Sequence, residues 1–147
     1  MAAPTYTWAF VCDLWGDRVP KIATLAAYSG MYAKKGTLLY MYSGDVRQAT
    51  ASVASIIGLA AEDIDVAATD QDPIKVELLF PGAVIKGTAD ADASALSGFS
   101  GKLGDLNTDG SLDVADATNG CLAVWKTEDS GLTVYCVATQ FDMGCVN

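Results

Sequence analysis

One twelve-residue stretch has the residue types and the spacing of a calcium-binding loop. Carboxylate or amide side chains stand at its first, third, fifth and twelfth positions, which are Asp105, Asn107, Asp109 and Asp116. Gly110 occupies the sixth position, where a calcium loop needs a sharp turn, and the seventh position would contribute a backbone carbonyl. The spacing alone therefore predicts a calcium site of the EF-hand or dockerin kind.

The residues that follow this stretch favour a different interpretation. An EF-hand or dockerin loop runs into a helix, whereas here Asn119-Gly120 predicts a turn and CLAVW predicts a strand. Such loops usually work in pairs, and the sequence has no second copy. We therefore interpret Asp105 to Asp116 as an Asn/Asp/Gly turn between two strands, with calcium binding as the minority alternative.

The remaining candidates for catalysis are weak. The chain has no histidine, so it lacks the commonest general base and the commonest transition-metal ligand. It has no P-loop, no dinucleotide-binding fingerprint and no G-x-S-x-G elbow. Carboxylates cluster at Glu62-Asp63 with Asp65 and at Glu128-Asp129, a composition that could serve a glycosidase but is more typical of solvated turns. We expect no catalytic residue, no cofactor and no enzymatic activity.

Charge and hydropathy exclude several classes of partner. The net charge is −9, and the nine basic residues are scattered singly except for Lys34-Lys35, so we expect no nucleic-acid binding. No apolar run approaches the roughly 18 residues of a membrane span, so we expect no membrane partner. Residues 1–18 lack a basic segment followed by an apolar run, which argues against a secretory signal. We expect synthesis inside the cell, with the four cysteines mostly reduced.

Strand signals dominate the chain. Residues 36–49 predict a strand, a Ser-Gly-Asp turn and a second strand, and residues 56–64 predict another. Residues 73–87 predict two strands that are separated by a sharp break at Pro81-Gly82. The sequence thus predicts a mainly β protein with a compact, sandwich-like or barrel-like body.

Composition divides the chain into four parts. The stretch at 89–101 is rich in Ala, Ser, Asp and Gly, which predicts an exposed loop or a linker. It would separate a first β lobe at 20–88 from a second at 102–147, and the two lobes show a loose similarity of pattern. Residues 1–19 would form an extended N-terminal arm.

The clearest hairpin of the second lobe lies at residues 120–140. Placing its turn at 127–131 predicts three cross-strand pairs, namely Cys121 with Cys136, Ala123 with Val134, and Trp125 with Leu132. Both faces of this hairpin are mostly apolar, so we expect its own domain and a neighbour to cover it. The register would allow a bridge between the two cysteines, although reduced thiols are the preferred interpretation.

The N-terminal arm is unusually aromatic. Its anchors are Tyr6, Trp8, Phe10 and Trp15, and aromatic residues of these kinds are enriched at interface hot spots. An extended arm can add a strand to the sheet edge of a neighbour, and the alternative is that it folds back on its own domain. Hydrophobic residues make up 51% of the chain, which predicts that part of the apolar surface is buried against a partner.

The order of these features resembles the small capsid decoration (cement) proteins of tailed bacteriophages. In the first lobe the resemblance is carried by KKGTLLYMYSGDVRQAT, IIGLAAEDI and IKVELLFPGAVIKG. In the second lobe it is carried by SGKLGDLNTDGSLDVADATNGCLAVW and the closing VYCVAT. The resemblance covers residues 20–140, but the N-terminal arm is not part of it.

Proteins of that family bind the outside of an assembled capsid and bridge neighbouring major capsid subunits. The resemblance therefore implies a structural virion protein that stabilises the capsid surface and is made in the host cytoplasm. Its partners would be the major capsid protein and copies of itself, as a trimer or a dimer. Two alternatives are a calcium-dependent, dockerin-like binding module and another virion component, such as a tail or head-fibre base protein.

Overall fold

The computed structural model describes residues 3–50, 55–66, 71–116 and 120–141. Within these ranges the chain forms antiparallel strands and a single 3-10 turn, which confirms the prediction of a mainly β protein with a sandwich-like or barrel-like body. None of the described residues belongs to a helix that is long and apolar enough to cross a membrane. The elements are β1 (Ala9–Asp13), β2 (Lys21–Ala26), β3 (Tyr32–Ala33), β4 (Leu38–Tyr42), β5 (Asp45–Gln48), β6 (Gly58–Ala60), β7 (Ile64–Asp65), β8 (Pro73–Leu78), β9 (Ala83–Thr88), the 3-10 turn (Ser94–Leu96), β10 (Asp105–Leu106), β11 (Leu112–Asp113), β12 (Leu122–Glu128) and β13 (Thr133–Ala138).

Five strands form a curled sheet in the order β2-β8-β6-β4-β5. Its first and last strands meet, because the backbone N–H of Tyr28 donates to the carbonyl of Val46 at 2.9 Å and Ala27 forms a parallel bridge with Val46. The sheet therefore closes on itself like a small barrel. Its interior is packed with side chains that include Met31, Leu39, Val46, Ile57 and Val76.

The second main sheet has four strands in the order β1-β9-β13-β12. One of its faces packs on the outside of the barrel-like sheet. The largest cluster of buried side chains lies between the two sheets and includes Trp8, Leu59, Ile85, Leu122 and Val134. This layer of apolar contacts is the sandwich part of the fold, and its burial is the main source of stability.

The turns that sequence chemistry predicts are present. Ser43 and Gly44 connect β4 and β5, and both have positive φ, at 50° and 86°. Gly82 connects β8 and β9 after Pro81 and has a φ of 91°, a conformation that glycine adopts without a steric penalty. Strands flank both turns, but only β4 and β5 pair with each other, whereas β8 and β9 belong to different sheets.

The strand order crosses the predicted lobe boundaries. β9 belongs to the range 20–88, yet it pairs with β13 from the second lobe and with β1 from the N-terminal arm. The two main sheets also differ in strand number and order, so they are not copies of one another.

The range 89–101, predicted as an exposed loop or a linker, is tied to the four-stranded sheet. The backbone N–H of Ala89 donates to the carbonyl of Leu132 at 2.9 Å, and Leu96 is buried in the core between the sheets. The N–H groups of Gly98 and Phe99 donate to carbonyls of β12. These hydrogen bonds cover the outer edge of β12, so the range is a loop that is largely exposed and is attached along the sheet.

The hairpin of β12 and β13 is confirmed, but its predicted register is wrong. Cys136 lies opposite Val124 and not opposite Cys121. The register shifts between Val124 and Lys126, where Trp125 forms a bulge, and the turn begins after Glu128, which faces Thr133. One extra residue in a strand moves all later pairs, which a prediction from strict alternation cannot anticipate.

Candidate interaction surface

The loop that follows β1 is organised around the carboxylate of Asp13. Asp13 Oδ1 accepts the backbone N–H of Trp15 at 3.0 Å, and Oδ2 accepts both Nε of Arg18 at 2.9 Å and the backbone N–H of Arg18 at 3.2 Å. These hydrogen bonds, the one from the Arg18 side chain foremost, lower the pKa of Asp13 below its usual value. The carboxylate of Asp13 thus fixes the backbone conformation of residues 13–18.

Arg18 attaches this loop to the corner between β8 and β9. Its Nη2 donates to the carbonyl of Pro81 at 2.8 Å, and its guanidinium carbon lies 4.3 Å from the centroid of the Phe80 ring. The second contact is of the cation–π type. The loop is therefore held at its start by the hydrogen bonds of Asp13 and at its end by the contacts of Arg18 with Phe80 and Pro81.

The side chain that this loop displays is Trp15, which is 72% exposed. Its ring lies against the backbone of Gly82, since a Cβ at position 82 would stand 2.9 Å from Trp15 Cε3. The glycine of the corner leaves room for the indole. Trp15 is consequently a large aromatic side chain that is exposed to solvent and is held in one position by the loop and by Gly82.

An apolar groove of about 400 Å³ lies beside Trp15. We call it the Trp15 groove and define it by Leu14, Trp15, Pro81, Phe99, Val137 and Phe141. Phe99 is itself partly exposed, so two exposed aromatic side chains line the groove. A concave apolar surface lined by two exposed aromatic residues is suited to bind an apolar side chain of another protein.

The groove continues into the outer face of the four-stranded sheet. Along β13, Val134 and Cys136 point into the core, whereas Tyr135 and Val137 form a second buried cluster on the opposite face. Lys126 partly covers this outer cluster, because its Nζ lies 4.5 Å from the centroid of the Tyr135 ring. The sheet is therefore apolar on both faces.

The four predicted interface anchors have different environments. Trp8 is only 3% exposed and lies in the core, with Nε1 donating to the carbonyl of Gly110 at 2.9 Å. Phe10 is half-buried, and its ring centroid is 5.9 Å from that of Phe80. Tyr6 is exposed, while its backbone N–H donates to the carbonyl of Asp109.

The arm therefore folds back on its own domain, which was the second of the two alternatives. β1 joins the four-stranded sheet by pairing with β9, and this pairing places Trp8 where no partner can reach it. Among the four anchors, Trp15 is the residue that lines the groove.

Leu14, Phe99 and Phe141 also line this surface, and none of them was predicted from the sequence. Phe99 carried a usable signal, because it is the one aromatic residue in a stretch of Ala, Ser, Asp and Gly. An aromatic side chain in such a loop has little local apolar surface to pack against. Phe141 carried no such signal, since its position near Leu14 depends on how distant strands pair.

The candidate calcium loop is a β-hairpin, as the preferred interpretation predicted. Asp105–Leu106 pair with Leu112–Asp113 as β10 and β11. The turn is closed by the N–H of Gly110, which donates to the carbonyl of Asn107 at 3.0 Å, and by the N–H of Asn107, which donates to the carbonyl of Ser111 at 2.9 Å. The carbonyl expected to bind calcium thus accepts a backbone hydrogen bond.

The side chains of the same stretch bind one another. Asn107 Nδ2 donates to Asp90 Oδ2 at 2.9 Å and to Ser111 Oγ at 3.0 Å. Asp109 Oδ1 accepts the hydroxyl of Ser111 at 2.6 Å and its backbone N–H at 3.0 Å, and both lower the pKa of Asp109. Asp105 is buried and its Oδ1 accepts the N–H of Leu106, while the carbonyl of Asp116 accepts the N–H of Asp105. Across the described ranges, no three His, Cys, Asp or Glu residues are gathered in a metal-binding arrangement.

The two other carboxylate clusters serve as local acceptors. Glu62 Oε1 accepts the backbone N–H of Lys75 at 3.1 Å, and Asp63 Oδ1 accepts that of Lys35 at 2.9 Å. Glu128 Oε2 accepts the hydroxyl of Tyr135 at 3.1 Å. These contacts fix turns and a cross-strand pair.

In comparisons with family models and with curated proteins, the chain matches none. The features of the molecule that bear on function are the Trp15 groove, the outer face of the four-stranded sheet and the order of features in the sequence.

Proposed function

We propose that this protein is a structural, non-enzymatic virion protein that binds the outer surface of a phage capsid and bridges major capsid subunits. The observation that carries the proposal is Trp15, an indole that is 72% exposed, held in place and adjacent to an apolar groove. The class of partner comes from the resemblance to capsid decoration proteins. On this proposal the protein is made in the host cytoplasm and resides on the capsid surface.

The rigidity of the loop supports a role in binding. Association costs conformational entropy when a side chain must be ordered, and a side chain that is already ordered avoids much of this cost. The hydrogen bonds of Asp13 and the contacts of Arg18 fix the backbone that carries Trp15 before any partner arrives. Trp15 therefore has the properties of a preorganised hot-spot residue.

The second part of the proposal, contact with more than one neighbour, comes from the resemblance to capsid decoration proteins. The outer face of the four-stranded sheet is the surface proposed for this contact, with Tyr135 and Val137 buried in it and Nζ of Lys86 and of Lys126 over the Tyr135 ring. A capsid subunit at the Trp15 groove and a second copy of the chain at this face would bury both surfaces. Copies of the chain would then form a dimer or a trimer on the shell.

The dockerin-like alternative is not carried forward, because residues 105–113 form a strand–turn–strand hairpin. Among the residues that the structure describes, no contact favours a tail or head-fibre base protein over a capsid protein.

A binding experiment with shells tests the proposal. On the proposal, the genome that encodes this chain also encodes a major capsid protein, and purified shells assembled from it are mixed with increasing amounts of the protein. We expect binding to saturate at a fixed copy number per shell and to raise the temperature at which the shells break. Absence of saturable binding would overturn the proposal.

A further inference from the structure

A second exposed aromatic surface lies on the barrel-like sheet, around Arg47 of β5. The guanidinium carbon of Arg47 lies 4.0 Å from the centroid of the Tyr28 ring and 4.6 Å from that of Tyr42. Both tyrosines are exposed, Tyr42 by 57%. Arg47 is held between them because its Nε donates to Asp45 Oδ1 at 2.9 Å. Tyrosine and arginine are the residue types that recur at protein-binding hot spots.

A pocket of about 200 Å³ opens at this surface. It is lined by Tyr28, Met31, Tyr40, Arg47, Gln48 and Thr50, and we call it the Gln48 pocket. Sites for drug-sized small molecules usually measure about 300–1,000 Å³, so this pocket has the size for one side chain. Its walls are aromatic rings, a thioether and a guanidinium, all of which pack well against a flat aromatic ring.

Gln48 gives the pocket a specific chemical requirement. The residue is only 7% exposed, and its Oε1 has no hydrogen-bond partner. Within the part of the chain that the structure describes, it is the one buried side-chain nitrogen or oxygen atom in this condition. Buried polar atoms are almost always paired, since an unpaired one has lost its hydration without compensation. An unpaired acceptor on a residue that lines a pocket is available to a donor that enters the pocket.

We propose that the Gln48 pocket binds an aromatic side chain that carries a hydrogen-bond donor, a tryptophan or a tyrosine of a protein partner. The indole N–H or the phenol O–H donates to Gln48 Oε1, and the ring packs between Tyr28, Tyr40 and Met31. Arg47 then lies at the edge of the bound ring. The inference goes beyond the proposed function, because it concerns a different surface and holds whether or not the partner is a capsid subunit.

The chemical requirement can be tested with small probes and the isolated full-length chain. Indole and p-cresol stand for the two side chains, and indene and toluene have similar shapes without the donor. Binding is followed by chemical shifts of backbone amides in the labelled protein. We expect indole and p-cresol to shift the amides of Gln48 and Thr50 and to bind about five- to tenfold more tightly than indene and toluene, the value of one hydrogen bond.

A substitution separates the hydrogen bond from the shape of the pocket. Gln48→Met keeps the approximate volume and removes the unpaired oxygen. We expect it to raise the urea midpoint of unfolding and to abolish the preference for indole over indene, with indene bound at least as well as before. Gln140→Met, at an exposed position that does not line the pocket, should change neither quantity.

Three results would overturn the proposal. The first is that indole does not bind to the wild-type chain, and the second is that indole and indene bind equally well. The third is a lower urea midpoint for Gln48→Met together with no indole binding, because a resident water would then be the partner of Oε1. If Gln48→Met does not fold, the comparison of indole with indene on the wild-type chain decides.

Discussion

The indole Nε1 of Trp8 donates a hydrogen bond of 2.9 Å to the carbonyl oxygen of Gly110, which is 102 residues away in the sequence. Two neighbouring contacts reinforce it. The N–H of Tyr6 donates to the carbonyl of Asp109, and the Trp8 ring packs so closely on Gly87 that a Cβ there would collide with it. The N-terminal segment thus holds the turn between β10 and β11 against the four-stranded sheet.

Trp8→Phe should lower the free energy of unfolding by about 1–3 kcal/mol, because the carbonyl of Gly110 loses its donor in a buried site. Urea unfolding followed by circular dichroism measures this change. Trp125→Phe is the matched control, since Trp125 is only half-buried on the outer face, and it should cost clearly less. Equal stability of Trp8→Phe and the wild type would contradict the assignment of Trp8 to the core.

Local chemistry explains why parts of the fold were predictable. Ser43-Gly44 and Pro81-Gly82 are turns because of what these residues allow in their own backbones, and the strands on either side follow from composition. The hairpin of β10 and β11 was also predictable, since Asn107, Asp109 and Gly110 favour a tight turn.

Other parts depend on contacts between distant residues. Trp8 and Trp15 are seven positions apart and equally aromatic, yet one is buried and the other exposed, because β1 pairs with β9 and the chain then turns at Asp13. The bulge at Trp125 shifts a register that alternation alone would place elsewhere. The Trp15 groove likewise brings together residues from both ends of the chain, which no local pattern encodes.

Acid should release the Trp15 loop. The pKa of Asp13 lies below its usual value of 3.8 because Arg18 and the N–H of Trp15 bind the carboxylate. A lowered pKa means that this stabilisation is present above pH 3.8 and is lost as the pH falls through the lowered pKa. We therefore expect a change in tryptophan emission in that acid range.

Variants assign this transition. It should be absent from Asp13→Asn and from Trp15→Phe. Asp92→Asn is the control and should keep the transition. The pKa of Asp92 is also lowered, but its carboxylate is bound by Ser94 and not by the Trp15 loop. A transition that survives in Asp13→Asn would show that another group controls the loop.

The thiols of Cys121 and Cys136 should be inert in the native protein. Burial raises the pKa of Cys121 to about 11, with a smaller contribution from the charge of Asp105, and burial raises the pKa of Cys136 as well. The thiolate is the reactive form, so a variant that keeps these two thiols, Cys12→Ser with Cys145→Ser, should resist iodoacetamide at pH 8 until urea is added. Rapid labelling without urea would contradict the burial of both thiols.

Calcium should leave the melting temperature unchanged. The carbonyl of Ser111 and the side chains of Asn107 and Asp109 are used by hydrogen bonds within the turn. A ligand that binds the native state raises its stability in proportion to the logarithm of its concentration. Thermal melts in millimolar calcium, with magnesium as the control, should therefore coincide. A rise of several degrees in calcium alone would restore the calcium interpretation.

The most direct test of the central claim is the affinity of Trp15→Ala for capsid shells. Truncation of a hot-spot residue costs about 2 kcal/mol or more, so we expect the affinity to fall roughly 30-fold while the unfolding midpoint changes little. Leu132→Ala is the matched control, since Leu132 is exposed at the turn between β12 and β13 and does not line the groove. It should bind like the wild type. Equal shell affinity for Trp15→Ala and the wild type would contradict the claim that this protein binds the capsid through Trp15.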